Sequence, residues 1–273
     1  MTQQTNAQIR EHYEIERSIA DRLRNSSAAE RRELYRTAYD DLFRRVPHHP
    51  MMVERSDSER RARTAKEVSA LRPLVDDGTV YLEIGPGDCS TAVAMAGLVK
   101  KVYAADVSAE IASQFTPPEN FELLLFDGLS IPLPGESVDV AYSNQLMEHL
   151  HPEDSLVQLE SIYRVLRPGG VYYCVTPNRL SGPHDVSRGF DPVATCLHLK
   201  EFTVGELERI FADAGFRRMQ VYLTYAGRGL KLPVWPFKAL ESLIAPLPHR
   251  VRRWLTFNRI AKFILGIKLI ATK

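Results

Sequence analysis

The sequence predicts an α/β protein in which a mainly parallel sheet is covered by helices on both faces and preceded by a helical extension. Two observations carry this. From Thr79 onward, apolar runs of strand length alternate with segments of helix length. The first run, Val80-Tyr-Leu-Glu-Ile84, closes on Gly85-Pro-Gly87, as a buried strand does when it enters a tight loop. With 44% hydrophobic and 25% charged residues over 273 positions, the chain is globular in type, which excludes collagenous, low-complexity and largely disordered classes.

Helices are expected first. Ile9, Tyr13, Ile19 and Leu23 form a helical stripe among charges. Ser27-Ala-Ala-Glu30 is a capping box for a second helix, which carries Leu34, Ala38, Leu42 and Phe43 and is closed by Pro47 and Pro50. A third helix runs from Ser58 to Leu74. This extension, residues 1–75, is expected to cover a core or help shape a substrate pocket. Strands follow at 80–84, 102–106, 121–126, 138–142 and 171–175, with helices at 90–98, 108–115 and 152–166 between them. Arg167-Pro-Gly-Gly170 reads as a turn. Thr203 caps a helix to Ala214, Gly215 ends it, and a strand runs from Phe216 to Thr224. Gly266 to Thr272 reads as the final strand. The sheet domain thus spans 76–273, with 226–265 as a basic, aromatic-containing helical insertion.

The chain has a net charge of +1, but the charge is unevenly placed. From Arg228 to Lys273, Glu241 is the one acid among ten basic residues, so this end carries +9 and the preceding 227 residues carry −8. No run of about 18 uncharged apolar residues occurs, so no membrane-spanning helix is expected. The first thirty residues are too polar for a secretory signal, which makes the cytoplasm the expected location. Cys89, Cys174 and Cys196 lack metal-ligand spacing and read as reduced thiols.

In doubly wound sheets, ligands sit beyond the carboxyl ends of the strands. There the sequence places Glu83 at the end of the first strand with Gly85 and Gly87 in the loop after it, Asp106 at the end of the second and Asp127 at the end of the third. Glycines let the backbone approach a ligand closely, and an acid about twenty residues further on suits ribose hydroxyls. A Gly-x-Gly after a strand also serves as a plain tight turn. The nicotinamide fingerprint requires a third Gly at position 90, where Ser90 stands, so dinucleotide binding is disfavoured.

Glu83-Ile-Gly-Pro-Gly-Asp88, Asp106, Phe126-Asp-Gly128, Val138-Asp-Val-Ala-Tyr-Ser143 and Leu166-Arg-Pro-Gly-Gly170 occur in order, followed by His198-Leu-Lys-Glu-Phe-Thr203 and Glu208 to Phe216. This succession resembles the motifs of class I S-adenosylmethionine-dependent methyltransferases over about Val80 to Thr224. The resemblance implies a Rossmann-like seven-stranded sheet of order 3-2-1-4-5-7-6 with the last strand antiparallel. It implies S-adenosylmethionine as cofactor, with Glu83 orienting the methionine end and Gly85 and Gly87 giving backbone contacts. Asp106 would hold the ribose, Asp127 and Gly128 would border the adenine, and Ser143 and Asn144 would line the methyl-transfer site. The family's third Gly is replaced by Cys89.

A neutral hydroxyl acceptor must lose a proton, and His149 and His198 are the candidate catalytic bases because imidazole titrates near neutrality. Histidines at such places also cap helices or bond backbone carbonyls. Glu148, His151, His184 and Asp185 add ligand types nearby, but no spacing organises a metal site, so none is expected and activity should survive a chelator. The Asn/Asp-Pro-Pro-Tyr signature of adenine- and glutamine-modifying relatives is replaced by Ser143-Asn-Gln-Leu146. A small-molecule or lipid-linked hydroxyl is the first acceptor class by family breadth; RNA is the second, and a binding protein without turnover is the third.

The basic end bears on partners. Trp254, Phe257, Ala261 and Ile264 are expected on one helix face beside Arg250, Arg253, Arg259 and Lys262. Residues 228–265 suit peripheral contact with an anionic membrane more than nucleic acid, and a cap on the sheet or a homodimer contact is the plain alternative.

Overall fold

The computed structural model describes residues 4–49, 56–108, 116–225, 227–256 and 258–273. The expected helix at 108–115, apart from Ser108, lies outside these residues, as do Pro50 and Phe257. Eight strands form one sheet: β1 (Val80–Ile84), β2 (Lys101–Asp106), β3 (Phe121–Leu125), β4 (Val138–Asn144), β5 (Leu166–Thr176), β6 (Arg218–Tyr225), β7 (Arg228–Pro233) and β8 (Ile267–Thr272). Their order is β3-β2-β1-β4-β5-β8-β6-β7. β1 to β5 are joined in parallel, and β8 is antiparallel to both β5 and β6.

The expected order therefore holds for its seven strands, with one addition. β7 pairs antiparallel with β6 at the sheet edge, so the segment expected to be a helical insertion begins as a hairpin strand. Gly227, with φ +74, makes the turn that allows it. Only beyond Pro233 does the insertion become helical, as α7 (Trp235–Ile244), α8 (His249–Thr256) and α9 (Arg259–Leu265). The face expected on one helix is divided between α8 and α9, because Asn258 starts α9 afresh by accepting the Ala261 amide at 2.8 Å. Arg167 to Gly170 belong to β5 rather than to a separate turn; a register shift opposite Val138 to Val140 accommodates them.

Alternation along the strands sorts the core into two layers. Leu82, Ile84, Ala141 and Tyr172 face α5 (Pro152–Val165) and α6 (Val204–Asp213), where Leu159, Ile162, Leu207 and Phe211 meet them. Tyr81, Val140, Tyr142 and Tyr173 face α3 (Asp57–Leu71) and α4 (Ser90–Ala96), packing with Leu71, Ala92 and Met95. Both Ser27-Glu30 and Thr203-Glu206 form reciprocal capping boxes, which start α2 (Ala28–Arg45) and α6.

α1 (Asn6–Asn25) and α2 form a third cluster, Ile19, Leu23, Ala38, Leu42 and Val46, closed against Leu197 and Leu199 of the body. A buried ion pair helps to tie them down. Arg31 on α2 donates to both oxygens of Asp154 on α5, at 2.6 and 2.8 Å, with both side chains buried. Burial works against the Asp154 charge, but the bonds from Arg31 and Tyr35 outweigh it and hold its pKa below the ordinary value. Arg31→Met should leave Asp154 buried without its cation and lower unfolding free energy by about 3–5 kcal/mol in urea titration.

Candidate active site at the carboxyl edge of the sheet

Parallel register brings the strand ends together. Ile84 lies beside Ala105 of β2 and Ser143 of β4, so Gly85, Asp106 and Asn144 emerge side by side. The Gly85 amide donates back to the Ala105 carbonyl at 2.9 Å, and the chain then turns through positive φ at Gly85, Gly87 and Cys89. A Cβ on Gly85 would lie 3.2 Å from Leu146, whereas one on Gly87 would meet only open space. Close packing thus requires glycine at 85, whereas at 87 the left-handed backbone favours glycine and the space above it is open to a ligand. Cys89 pays for the same left-handed turn with a Cβ and fills the buried space under α4.

Two acids border this loop. Glu83 is buried in β1, accepts from the Tyr81 hydroxyl at 3.0 Å, and is pushed by burial to a pKa of about 8, with Glu67 and Asp88 adding to the rise. Asp106 is buried at the end of β2 and raised to about 6 by burial, although it accepts the Ser108 amide at 3.0 Å. Both carboxylates lack a cation strong enough to offset their burial, so a cationic or hydroxyl-rich ligand fits them. Asp127 is otherwise engaged: one oxygen accepts from the amides of Leu129 and Ser130, and the other pairs with Arg32 on α2. Gly128 turns with φ +86 under Tyr35. Ser143 is fully buried and bonds the Tyr172 hydroxyl at 2.6 Å, so it lies behind the rim; Asn144 is half-buried at the strand end.

His149 and His198, 49 positions apart in sequence, meet edge to face with ring centroids 4.9 Å apart. His149 Nδ1 donates to the Leu197 carbonyl at 3.0 Å, with the Tyr39 hydroxyl 3.1 Å away. Burial, with His198 beside it, lowers its pKa to about 3, so it is neutral at physiological pH. His198 Nδ1 bonds Glu201 at 2.8 Å. Burial opposes its charge, yet Glu201, Glu148 and Asp185 together raise its pKa. Glu148 is wholly buried, accepts the Thr176 hydroxyl at 2.8 Å and is raised by burial to about 7. His151 instead caps α5, and His184 bonds Ser181. Sequence reading missed Arg32, Tyr39, Thr176 and Glu201 as members of this edge. The three-residue spacing of His198 and Glu201 was the one available signal.

Residues 82–174 match the family model described as a methyltransferase domain. The chain is 31% identical over 154 residues, 56% of its length, to a probable S-adenosylmethionine-dependent methyltransferase of Mycolicibacterium smegmatis. Residues 82–174 thus match a methyltransferase domain, and the chain is similar to S-adenosylmethionine-dependent methyltransferases. A ubiquinone biosynthesis O-methyltransferase of Parvibaculum lavamentivorans is 28% identical over 163 residues, 55% of this chain. The matches span 58% and 63% of those two relatives, so the chain covers less than two thirds of their length. In fold, the crystal structure of an S-adenosylmethionine-dependent methyltransferase from Archaeoglobus fulgidus superposes with a TM-score of 0.51 at 18% identity, over 78% of this chain and 94% of that one.

The rim of this domain fits S-adenosylmethionine, whose ammonium and sulfonium are cationic and whose ribose is a diol: Glu83 and Asp106 are under-compensated acids beside a glycine loop with room over Gly87. Because the folded-state pKa of Glu83 is raised, its neutral form stabilises the fold, and that contribution is lost as pH rises from about 4.5 to about 8. Glu83→Gln should therefore raise the thermal midpoint of the ligand-free protein at pH 8.5. The same change should weaken S-adenosylmethionine in calorimetric titration by about tenfold or more, a loss of at least about 1.4 kcal/mol.

Proposed function

We propose that this chain is an S-adenosylmethionine-dependent methyltransferase acting on a hydroxyl of a small-molecule or lipid-linked acceptor. The observation that carries this is the meeting of two unlike sets of groups on one sheet edge: under-compensated acids at β1 and β2, and a pair formed by His149 after β4 and His198, backed by Glu201, from the loop before α6. Bound S-adenosylmethionine supplies the activated methyl, which the acceptor oxygen takes up as that hydroxyl loses its proton. The chain's own task is alignment, worth up to about 7–11 kcal/mol in favourable cases, and handling of that proton. His198, oriented by Glu201, accepts it; His149, held neutral by burial, orients the acceptor. An O-methyltransferase among the relatives supports oxygen as the reacting atom.

The test is release of S-adenosylhomocysteine over a panel of sugars, phenols and lipid-linked sugars. With the accepted substrate, His198→Ala should lower kcat by about 10²–10⁴-fold and leave S-adenosylmethionine affinity nearly unchanged. Unchanged kcat would remove the histidine from the reaction, and binding without turnover on any acceptor would leave a cofactor-binding protein.

The C-terminal surface supports a lipid-linked acceptor. Among the described residues no helix is long and apolar enough to cross a membrane. Yet Trp235, Leu243 and Trp254 are at least 70% exposed, and Val251, Trp254 and Leu255 share one face of α8 among arginines. Glu241, the lone acid, is turned inward, accepting from Asn178 and from the Val204 amide at 2.7 Å, so the outer surface is basic. Sedimentation with phosphatidylglycerol vesicles should show binding that weakens with salt and falls in Trp235→Ala/Trp254→Ala. Salt-sensitive RNA binding with no vesicle binding would favour the nucleic-acid reading.

A further inference from the structure

The carboxylate of Glu148 is built into the edge at the ends of β4 and β5, and only half of it is used. Oε2 accepts from Thr176, but Oε1 is buried and has no hydrogen-bond partner. An unpaired buried acceptor is destabilising, and more so when charged. One oxygen of this carboxylate and one ring nitrogen each of His149 and His198 lie within 4.8 Å of one another. Both rings are fixed from behind. Nδ1 of His149 donates to the Leu197 carbonyl, and Nδ1 of His198 faces the Glu201 carboxylate. That is how ligating histidines are oriented: the outer acceptor holds Nδ1–H and leaves the lone pair on Nε2.

We infer that Glu148, His149 and His198 form a binding site for one divalent transition-metal ion. Two imidazoles and one carboxylate suit Zn²⁺, Co²⁺ or Fe²⁺ and leave positions open for an exchangeable oxygen ligand. Magnesium prefers an all-oxygen set and is expected to bind far more weakly. Two other groups of ligand types occur among the described residues, around Glu16, but their carboxylates are spent. Glu16 bonds His12 at 2.7 Å and the Leu197 amide at 3.1 Å, and Asp185 bonds Ser187 and the Cys196 amide. Sequence spacing organised no metal set because Glu148 and His149 lie on a turn after β4, whereas His198 arrives from the loop before α6. On the proposed reading of this edge as the acceptor side, the ion would lower the pKa of a hydroxyl brought there; in the metal-loaded protein this would replace the proton uptake assigned above to His198, which only the metal-free protein leaves open.

The experiment uses the full chain, stripped with a chelator and titrated with Co²⁺, read by its visible absorption and by metal content in mass spectrometry. One equivalent should bind, be displaced by Zn²⁺, and weaken by about tenfold or more in Glu148→Gln and His198→Ala. His12→Gln should bind as the parent does. The inference is overturned by folded protein that takes up no stoichiometric Co²⁺ or Zn²⁺, by uptake of Mg²⁺ in their place, or by binding lost in His12→Gln and kept in Glu148→Gln. Should the Glu148 variant fail to fold, paramagnetic shifts of the His149 and His198 imidazole signals in the Co²⁺-loaded parent replace it; their absence is equally decisive. Calorimetry with S-adenosylmethionine on the same sample reads the methyltransferase assignment separately.

Discussion

Parallel pairing leaves the carboxyl ends of β1, β2 and β4 in a row, because Ile84 is locked in register between Ala105 and Ser143. That alignment decides where everything polar must go. Each strand ends in carbonyls and amides that need partners, and the turns that follow are the nearest chain to shape a ligand site. Gly85, Asp106 and Asn144 are neighbours for this reason alone, though some sixty residues of sequence separate the first from the last. A slip of one residue in β1 would turn Glu83 to the opposite face and bury it among Leu82 and Ile84's partners.

Holding unpaired acids at that edge works against stability. Glu83, Asp106 and Glu148 are all raised by burial, and each would ionise more readily in the unfolded chain. Structural acids elsewhere are treated differently. Asp154 is given a bidentate arginine, and Glu241 meets the amides that open α6, where the helix N-terminus favours negative charge. The contrast separates acids whose charge is compensated within the fold from acids whose burial is not, the pattern expected of groups that meet a ligand.

The N-terminal helices complete the edge from outside the sheet. α2 alone supplies Arg31 to Asp154, Arg32 to Asp127, Tyr35 to Asp154 and Tyr39 to His149. Arg24 on α1 donates to the carbonyls of Thr195 and Cys196, so the loop carrying His198 is set against the same two helices. They therefore bear on the geometry of the edge that carries His149 and His198 as well as shielding a core.

Local sequence determined most of the strands and the caps, because periodicity, capping boxes and glycine turns are written within a few adjacent residues; the order of strands in the sheet came from the family resemblance instead. It also marked Glu83, Gly85, Gly87 and Asp106, since motifs at strand ends travel with their strands. The edge strand β7 escaped it, because Arg228–Pro233 alternates only weakly and is held by pairing with β6. The break between α8 and α9 escaped it for a similar reason, being set by the cap at Asn258 rather than by periodicity. The partners of Asp127, Asp154, His149 and Glu148 were decided by tertiary structure alone. Those contacts join residues 28 to 123 positions apart, and pairing at such distances depends on how helices dock on the sheet, which no local pattern records.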